Sequence, residues 1–271
     1  MTRKPAVADQ FYPGNPEELE KMVTAFEKSD LPRENAVALI APHAGYVYSG
    51  RVAGAVYSKV NIADDIVLIG PNHTGLGKEV ALMAEGAWEM PADSVAVNGE
   101  LAGLLLEASP LLTSDAAAHL REHSLEVQLP FIRHFNRAAT VVPIVIKYLA
   151  IEQCDALGRA IARAIKRYEE MHNKRVLIVV SSDMNHFESQ EVTEEKDGKA
   201  LEKLLALDGE GLLATTEREN ITMCGVVPAA VAIAAAKELG ATSAKLVEYA
   251  TSGETSGDYD NVVGYAGVVI Q

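Results

Sequence analysis

The chain has 271 residues, 48% of them apolar and 23% charged, values that fit a globular protein with a substantial core and exclude a disordered or fibrous one. Its formal charge of −14 argues against nonspecific attraction to nucleic acid or to an anionic bilayer, so neither is an expected partner. No apolar run reaches the roughly 18–20 residues of a membrane span, the N-terminus lacks the apolar stretch of a secretory signal, and the two distant cysteines, Cys154 and Cys224, make no disulfide framework; a cytoplasmic location is expected.

In chain order, the first expected strand is 36–41 (AVALIA), a continuously apolar run of the kind buried on both faces of a parallel sheet. A helix follows at 50–60, then a strand at 66–70 (IVLIG), a glycine-rich loop at 70–77 and a strand at 80–84. A helix at 98–108 precedes a strand at 140–146 (TVVPIVI). Pro143 predicts an edge position or a bulge there, because proline donates nothing to a ladder. The next helix, 151–171, carries Leu157, Ile161, Ala164, Ile165 and Tyr168 on one stripe. A strand at 176–181 (VLIVVS), helices at 195–207 and 226–239, and strands at 245–250 and 262–270 complete the chain, with a second glycine-rich loop at 252–257. Strands alternating with helices predict an α/β fold of three layers, its largely parallel or mixed central sheet flanked by helices. No repeat or long linker divides the sequence, so residues 1–271 read as a single domain.

Open parallel sheets hold their ligands beyond the carboxyl ends of the strands. Three expected strands each deliver a histidine there: His43 after AVALIA, His73 after IVLIG, and His186 after VLIVVS. One shared site explains that coincidence better than three separate turn caps. Neutral imidazole is the commonest ligand of zinc, iron and copper, and the glycines near His43 and His73 allow tight turns, although plain loop geometry would use them too. Asp183 and His186 can face one another across a turn, either as an imidazole with an orienting carboxylate or as a general acid/base pair; the alternative is an Asp183 helix cap. Cys224 precedes an apolar helix whose N-terminus would lower its thiol pKa, making it a ligand or nucleophile; the alternative is a small buried hydrophobe, as expected for Cys154.

A competing motif is His119-Leu120-Arg121-Glu122-His123, which matches the inverted zinc-protease pattern HxxEH but lacks a third ligand at a telling distance. A helix face presenting His123 and Glu126 to the pocket is the better expectation. Nucleotide-binding loops and the GxSxG elbow are absent.

Taken together, Asp9-Gln10-Phe11-Tyr12-Pro13, Ala41-Pro42-His43-Ala44-Gly45-Tyr46, Gly70-Pro71-Asn72-His73, the run from Glu122 to Pro130 (EHSLEVQLP), Ser181-Ser182-Asp183-Met184-Asn185-His186, Cys224-Gly225 and Gly264-Tyr265-Ala266 resemble the Memo family, component B of the AmmeMemoRadiSam system. The resemblance spans nearly the whole chain. It implies a fold similar to the class III extradiol dioxygenases, with a metal held by His43, His73 and Cys224. It also implies His186 as the catalytic histidine with Asp183 beside it, and His123 and Tyr46 on the substrate pocket. The dioxygenases use two histidines and a carboxylate, so a cysteine in third place carries metal binding over better than it carries the activity.

Two functions follow as expectations. The first is a non-haem metal protein, with iron ahead of copper or zinc, performing redox or lyase-type chemistry on a small substrate. The second is a non-catalytic metal- or partner-binding component, because the family is associated with AMMECR-type and radical-SAM proteins. A zinc hydrolase using the same pocket is a third, weaker option.

Overall fold

The continuously apolar runs do form strands buried on both faces, and their order in the sheet explains why distant histidines meet. The computed structural model describes residues 1–28, 32–91 and 93–271. Its first half contains β1 (Thr2–Arg3), α1 (Pro16–Phe26), β2 (Ala38–Ala41), α2 (Tyr46–Lys59), β3 (Asp65–Pro71), β4 (Val80–Leu82), β5 (Ala87–Met90), β6 (Asp93–Ala96), α3 (Gly99–Ala108), β7 (Thr113–Ser114) and α4 (Leu129–Phe135). The second half contains β8 (Thr140–Ile146), α5 (Ile151–His172), β9 (Val176–Ser181), β10 (His186–Glu188), α6 (Gln190–Leu205), α7 (Gly209–Arg218), α8 (Val226–Glu238), β11 (Ala244–Thr251), α9 (Gly253–Ser256) and β12 (Val262–Ile270).

A mixed sheet runs β10-β12-β2-β9-β3-β8-β4-β7, with β11 also paired to β12. Its centre, β2-β9-β3-β8, is wholly parallel, and antiparallel strands close on it from both sides. A small second sheet joins β1, β5 and β6. Alternate residues of the central strands enter two separate cores. Ile40, Val67, Ile144 and Val180 face α3, α5, α7 and α8, whereas Leu39, Leu68, Val145 and Val179 face α1, α2 and α4. That is the expected helix–sheet–helix layering. The stripe on α5 is buried as the period predicts, from Leu157 and Ile161 through Ala164 and Ile165 to Tyr168.

Two local expectations are corrected. Strand β8 is interior, between β3 and β4, and its ladder with β3 runs without a bulge. Pro143 is tolerated because its carbonyl, accepting from Met83 N–H at 3.1 Å, faces β4; the missing N–H lies on that side, where the β4 ladder ends at Leu82, and β3 loses nothing. The 252–257 stretch is not all loop: it winds into the short helix α9, which Gly257 terminates at φ 74°.

Strand β9 lies between β2 and β3, so the chain segments leaving all three strands emerge side by side at one edge. His43, Asp183 and His73 sit on those segments. No helix among the described residues is long and apolar enough to cross a membrane.

Candidate functional site

The site is assembled by hydrogen bonds that begin in the strand ends. Ser181, the last residue of β9, is wholly buried. Its hydroxyl donates to the Ser124 carbonyl at 2.6 Å and accepts from Gln128 Nε2 at 2.9 Å. The Gln128 amide is oriented in turn, with its oxygen accepting from the Tyr57 hydroxyl (3.0 Å) and its nitrogen donating to the Pro42 carbonyl (2.9 Å). Since the only hydroxyl hydrogen of Ser181 goes to Ser124, the His43 Nδ1 that stands 2.9 Å away must be the protonated nitrogen. His43 Nε2 is left as a lone pair.

His73 is fixed by an equivalent device. Glu122, a buried carboxylate, accepts from His73 N–H at 2.5 Å and lies 2.9 Å from His73 Nδ1, which leaves that Nε2 unprotonated too. Burial alone would raise the Glu122 carboxyl, but the hydrogen bonds it accepts from His73 and Ser124, with the adjacent His123, bring it down to about 2. His43, His73 and His123 each offer a nitrogen within 4.8 Å of the other two, a group that could hold a metal ion. The His73 and His123 rings stack at 4.7 Å, and His43 stands edge-on to both. His123 is held less tightly, its Nδ1 lying 3.6 Å from Glu122. Burial, followed by repulsion from its two neighbours, keeps His43 well below the ordinary histidine range.

Cys224 arrives from the other side, one residue before the cap of α8. Its sulfur is 3.2 Å from His43 Nε2 and accepts from Asp183 N–H at 3.3 Å. Gly225 makes this approach possible: a Cβ there would fall 2.4 Å from Ser182 Cβ, and its N–H donates to Ser182 Oγ at 3.0 Å. The helix N-terminus does not depress the thiol as expected, because burial and the adjacent Asp183 carboxylate push it upward.

Asp183 does not pair with His186. Its Oδ1 accepts from the backbone N–H of His43 (2.7 Å) and Ala44 (3.3 Å), so it fixes the turn that carries His43. His186 bonds to Thr222 instead, donating its backbone N–H to Oγ1 at 2.8 Å and Nδ1–H to the carbonyl at 3.0 Å, which leaves Nε2 as a base. The next residue, Phe187, is 73% exposed and held at φ 62°, a strained conformation for an aromatic residue beside a functional candidate. Tyr46, expected on the pocket wall, packs instead in the core: its hydroxyl donates to the Val127 carbonyl at 2.5 Å and its ring lies on Phe131. Glu126 also points away, into a buried cluster with Arg3 and Tyr12. The protease pattern dissolves, because His119 is buried against Trp88 while His123 joins the trio, with no helix carrying both. Glu122, Ser181 and Gln128 lie within the motifs but receive no role from them, since they act through hydrogen bonds across the sheet.

Behind the Asp183–His186 turn, buried Asp197 accepts from Asn185 N–H at 2.8 Å and from the Tyr249 hydroxyl at 2.7 Å. Burial raises its carboxyl to about 7, against the pull of those two donors. The folded protein therefore binds this proton more tightly than the unfolded chain, and the stabilisation falls away as pH rises from about 4 through 7, by roughly 4 kcal/mol at most. Asp197→Asn preserves both hydrogen bonds, with its amide donating to Tyr249. Urea unfolding at pH 5 and pH 8 should show a smaller loss for the variant than for the parent; identical losses would refute the assignment.

Comparison with known proteins agrees with the geometry. A model of the Memo-like protein family matches residues 3–269. A MEMO1 family protein of Methanopyrus kandleri is 39% identical over 285 residues, covering 100% of this chain and 99% of its own, and one of Aquifex aeolicus is 42% identical over 271 residues, covering 98% of each. The crystal structure of an uncharacterized Escherichia coli protein shares the fold, with a TM-score of 0.54 at 13% identity over 86% of this chain and 98% of that one. Matched from end to end by the family and by relatives of equal length, this chain belongs to the Memo-like proteins.

Proposed function

We propose that the chain is a non-haem metal protein whose centre is held by His43 and His73, with Cys224 as third ligand and His123 beside them, and that it performs redox or lyase-type chemistry on a small substrate. The observation that carries this reading is the pair of imidazoles whose Nδ1 hydrogens are committed to buried acceptors, Ser181 and Glu122, so that both Nε2 lone pairs are ready for a cation. The donor set fits a transition metal. The three donors that lie within 4.8 Å of one another are those of His43, His73 and His123, and the Cys224 sulfur, 3.2 Å from His43 Nε2, is within reach of an ion held by that nitrogen. Imidazoles with a thiolate suit iron, copper or zinc, and iron is our choice for the physiological ion.

Such an ion supplies Lewis-acid or redox capacity when bound. The protein's own residues do the rest. Asp183 holds the His43 turn against the sheet, and the Ser181–Gln128–Tyr57 chain keeps the His43 ring in one tautomer. His186 Nε2 is the base that accepts a substrate proton, and His123, not locked by a short hydrogen bond, is free to turn toward a bound substrate.

Untagged protein purified without chelators is expected to contain close to one equivalent of iron. Anaerobic Fe(II) titration should develop absorption bands that Cys224→Ser shifts and His123→Ala leaves in place. Oxygen uptake with a panel of catechols then tests the dioxygenase branch: metal loading without uptake eliminates that branch, and absence of stoichiometric metal eliminates the centre itself.

A further inference from the structure

Strand β8 ends beside β3 at the same edge of the sheet, and the segment that leaves it forms one wall of a groove of about 700 Å³. Leu149 and Ile151 line that wall, Leu213 and Ala214 of α7 stand opposite, and Val226 and Val227 lie at the inner end. Cys224, the proposed ligand, is among the residues that line this groove, so the groove reaches the residue whose sulfur approaches His43. The volume lies within the range of small-molecule sites, about 300–1,000 Å³.

The charge on the rim is one-sided. Glu210, Leu213, Ala214 and Glu217 follow one another at helical spacing on a single face of α7, and Glu152 joins them from the first turn of α5. Among the described residues, none of these three glutamates has a salt-bridge partner, whereas the one lysine of the rim, Lys147, is turned away to the Gly77 carbonyl (2.7 Å) and Glu79 (3.8 Å). Tyr148, 71% exposed, adds an aromatic face beside the carboxylates, the combination that attracts an alkylammonium head.

We propose that this groove binds a small amphiphilic cation, its apolar body along Leu149, Leu213 and Val226 toward Cys224 and its positive head among Tyr148, Glu152, Glu210 and Glu217. The assignment of this molecule as substrate rests on the metal-centre reading; its binding does not. Aromatic and carboxylate groups at the mouth select charge, and the hydrocarbon floor selects shape.

Calorimetric titration of the full chain at low ionic strength with decyltrimethylammonium and with decanoate, both below their micelle concentrations, provides the test. The cation is expected to bind at least 10-fold more tightly than the anion. Replacing Glu152, Glu210 and Glu217 together by Gln should bring that ratio below about 3, and Ala214→Trp, which fills the groove from an exposed helix position, should weaken the cation at least 10-fold. Equal affinities for the two probes, or an Ala214→Trp variant that binds normally, would overturn the proposal, as would tighter binding of a basic amphipathic peptide than of the small cation. Metal analysis of the parent and of His43→Ala separates the two readings: cation binding by a parent protein that takes up no metal leaves the groove standing and removes the centre, and metal bound by the parent and lost in His43→Ala, without cation preference in either, does the reverse.

Discussion

His73→Ala is expected to lower Fe(II) affinity by more than 100-fold, and Glu122→Gln, which touches no proposed metal position, by about 10–100-fold. The second result is the more telling. Glu122 receives three donors, the His73 N–H on Oε2 and the Ser124 N–H and His73 Nδ1 on or near Oε1. A glutamine has one acceptor oxygen, so its amide hydrogens must oppose a donor. Either the loop shifts or the His73 ring takes the other tautomer and carries its hydrogen toward the metal. Chelator competition on untagged protein reads the affinity, and unfolding in urea checks that the variant remains folded. A Glu122→Gln protein that is folded and binds iron as tightly as the parent would show that His73 does not need this carboxylate. A Ser181→Ala variant should act on His43 in the same direction, since it removes the hydroxyl that accepts from Nδ1–H.

The centre of the sheet was legible because its strands are apolar without interruption, and no helix period competes with runs such as 66–70 and 176–181; the short strands β7 (TS) and β10 (HFE) carry no such run. The convergence of His43, His73 and the Asp183 turn was legible for a topological reason, ligands gathering beyond the carboxyl ends of parallel strands, and β9 inserted between β2 and β3 realises it. Four of the described helices, α1, α4, α7 and the short α9, were not foreseen. The signal for α1 was present, since Asn15 caps it by accepting from Glu17 and Glu18 N–H and Pro16 opens it. Helix α7 also has its cap, Asp208, but glycines at 209 and 211 obscure the pattern. The EHSLEVQLP stretch misled more deeply. A run of this composition reads as helix, yet it is irregular at Glu122 and His123 and winds only from Glu126, in one tight turn that leads into α4, because Glu122 and Glu126 are each drawn into a different buried hydrogen-bond cluster. Spacing alone cannot show which partner a buried carboxylate will find. The Asp183–His186 pair failed for the same reason: backbone N–H groups of the His43 turn and the Thr222 carbonyl, both far away in sequence, outcompeted the local contact.

Arg3 and Glu126 should be the costliest positions in the molecule outside the site, and for a reason that reaches into it. Both side chains are essentially inaccessible and paired at 2.5 Å. Glu126 also accepts from Ala6 N–H (2.7 Å), Val7 N–H (3.1 Å) and the Tyr12 hydroxyl (2.6 Å). The Arg3 guanidinium lies 4.2 Å from the centre of the Trp88 ring and donates to the His119 carbonyl (2.8 Å) and the Glu122 carbonyl (2.6 Å). Removing one charge strands the other in a medium that cannot solvate it, so Arg3→Ala and Glu126→Ala should each destabilise by about 3–5 kcal/mol in urea unfolding. The double variant leaves no stranded charge and should cost clearly less than the sum of the two; strict additivity would mean the pair is not coupled. Because Arg3 grips the backbone of Glu122, each single variant should also weaken iron binding while leaving every proposed ligand in place. A loss of stability with full metal affinity would show that the N-terminal segment anchors the fold without setting the His73 carboxylate.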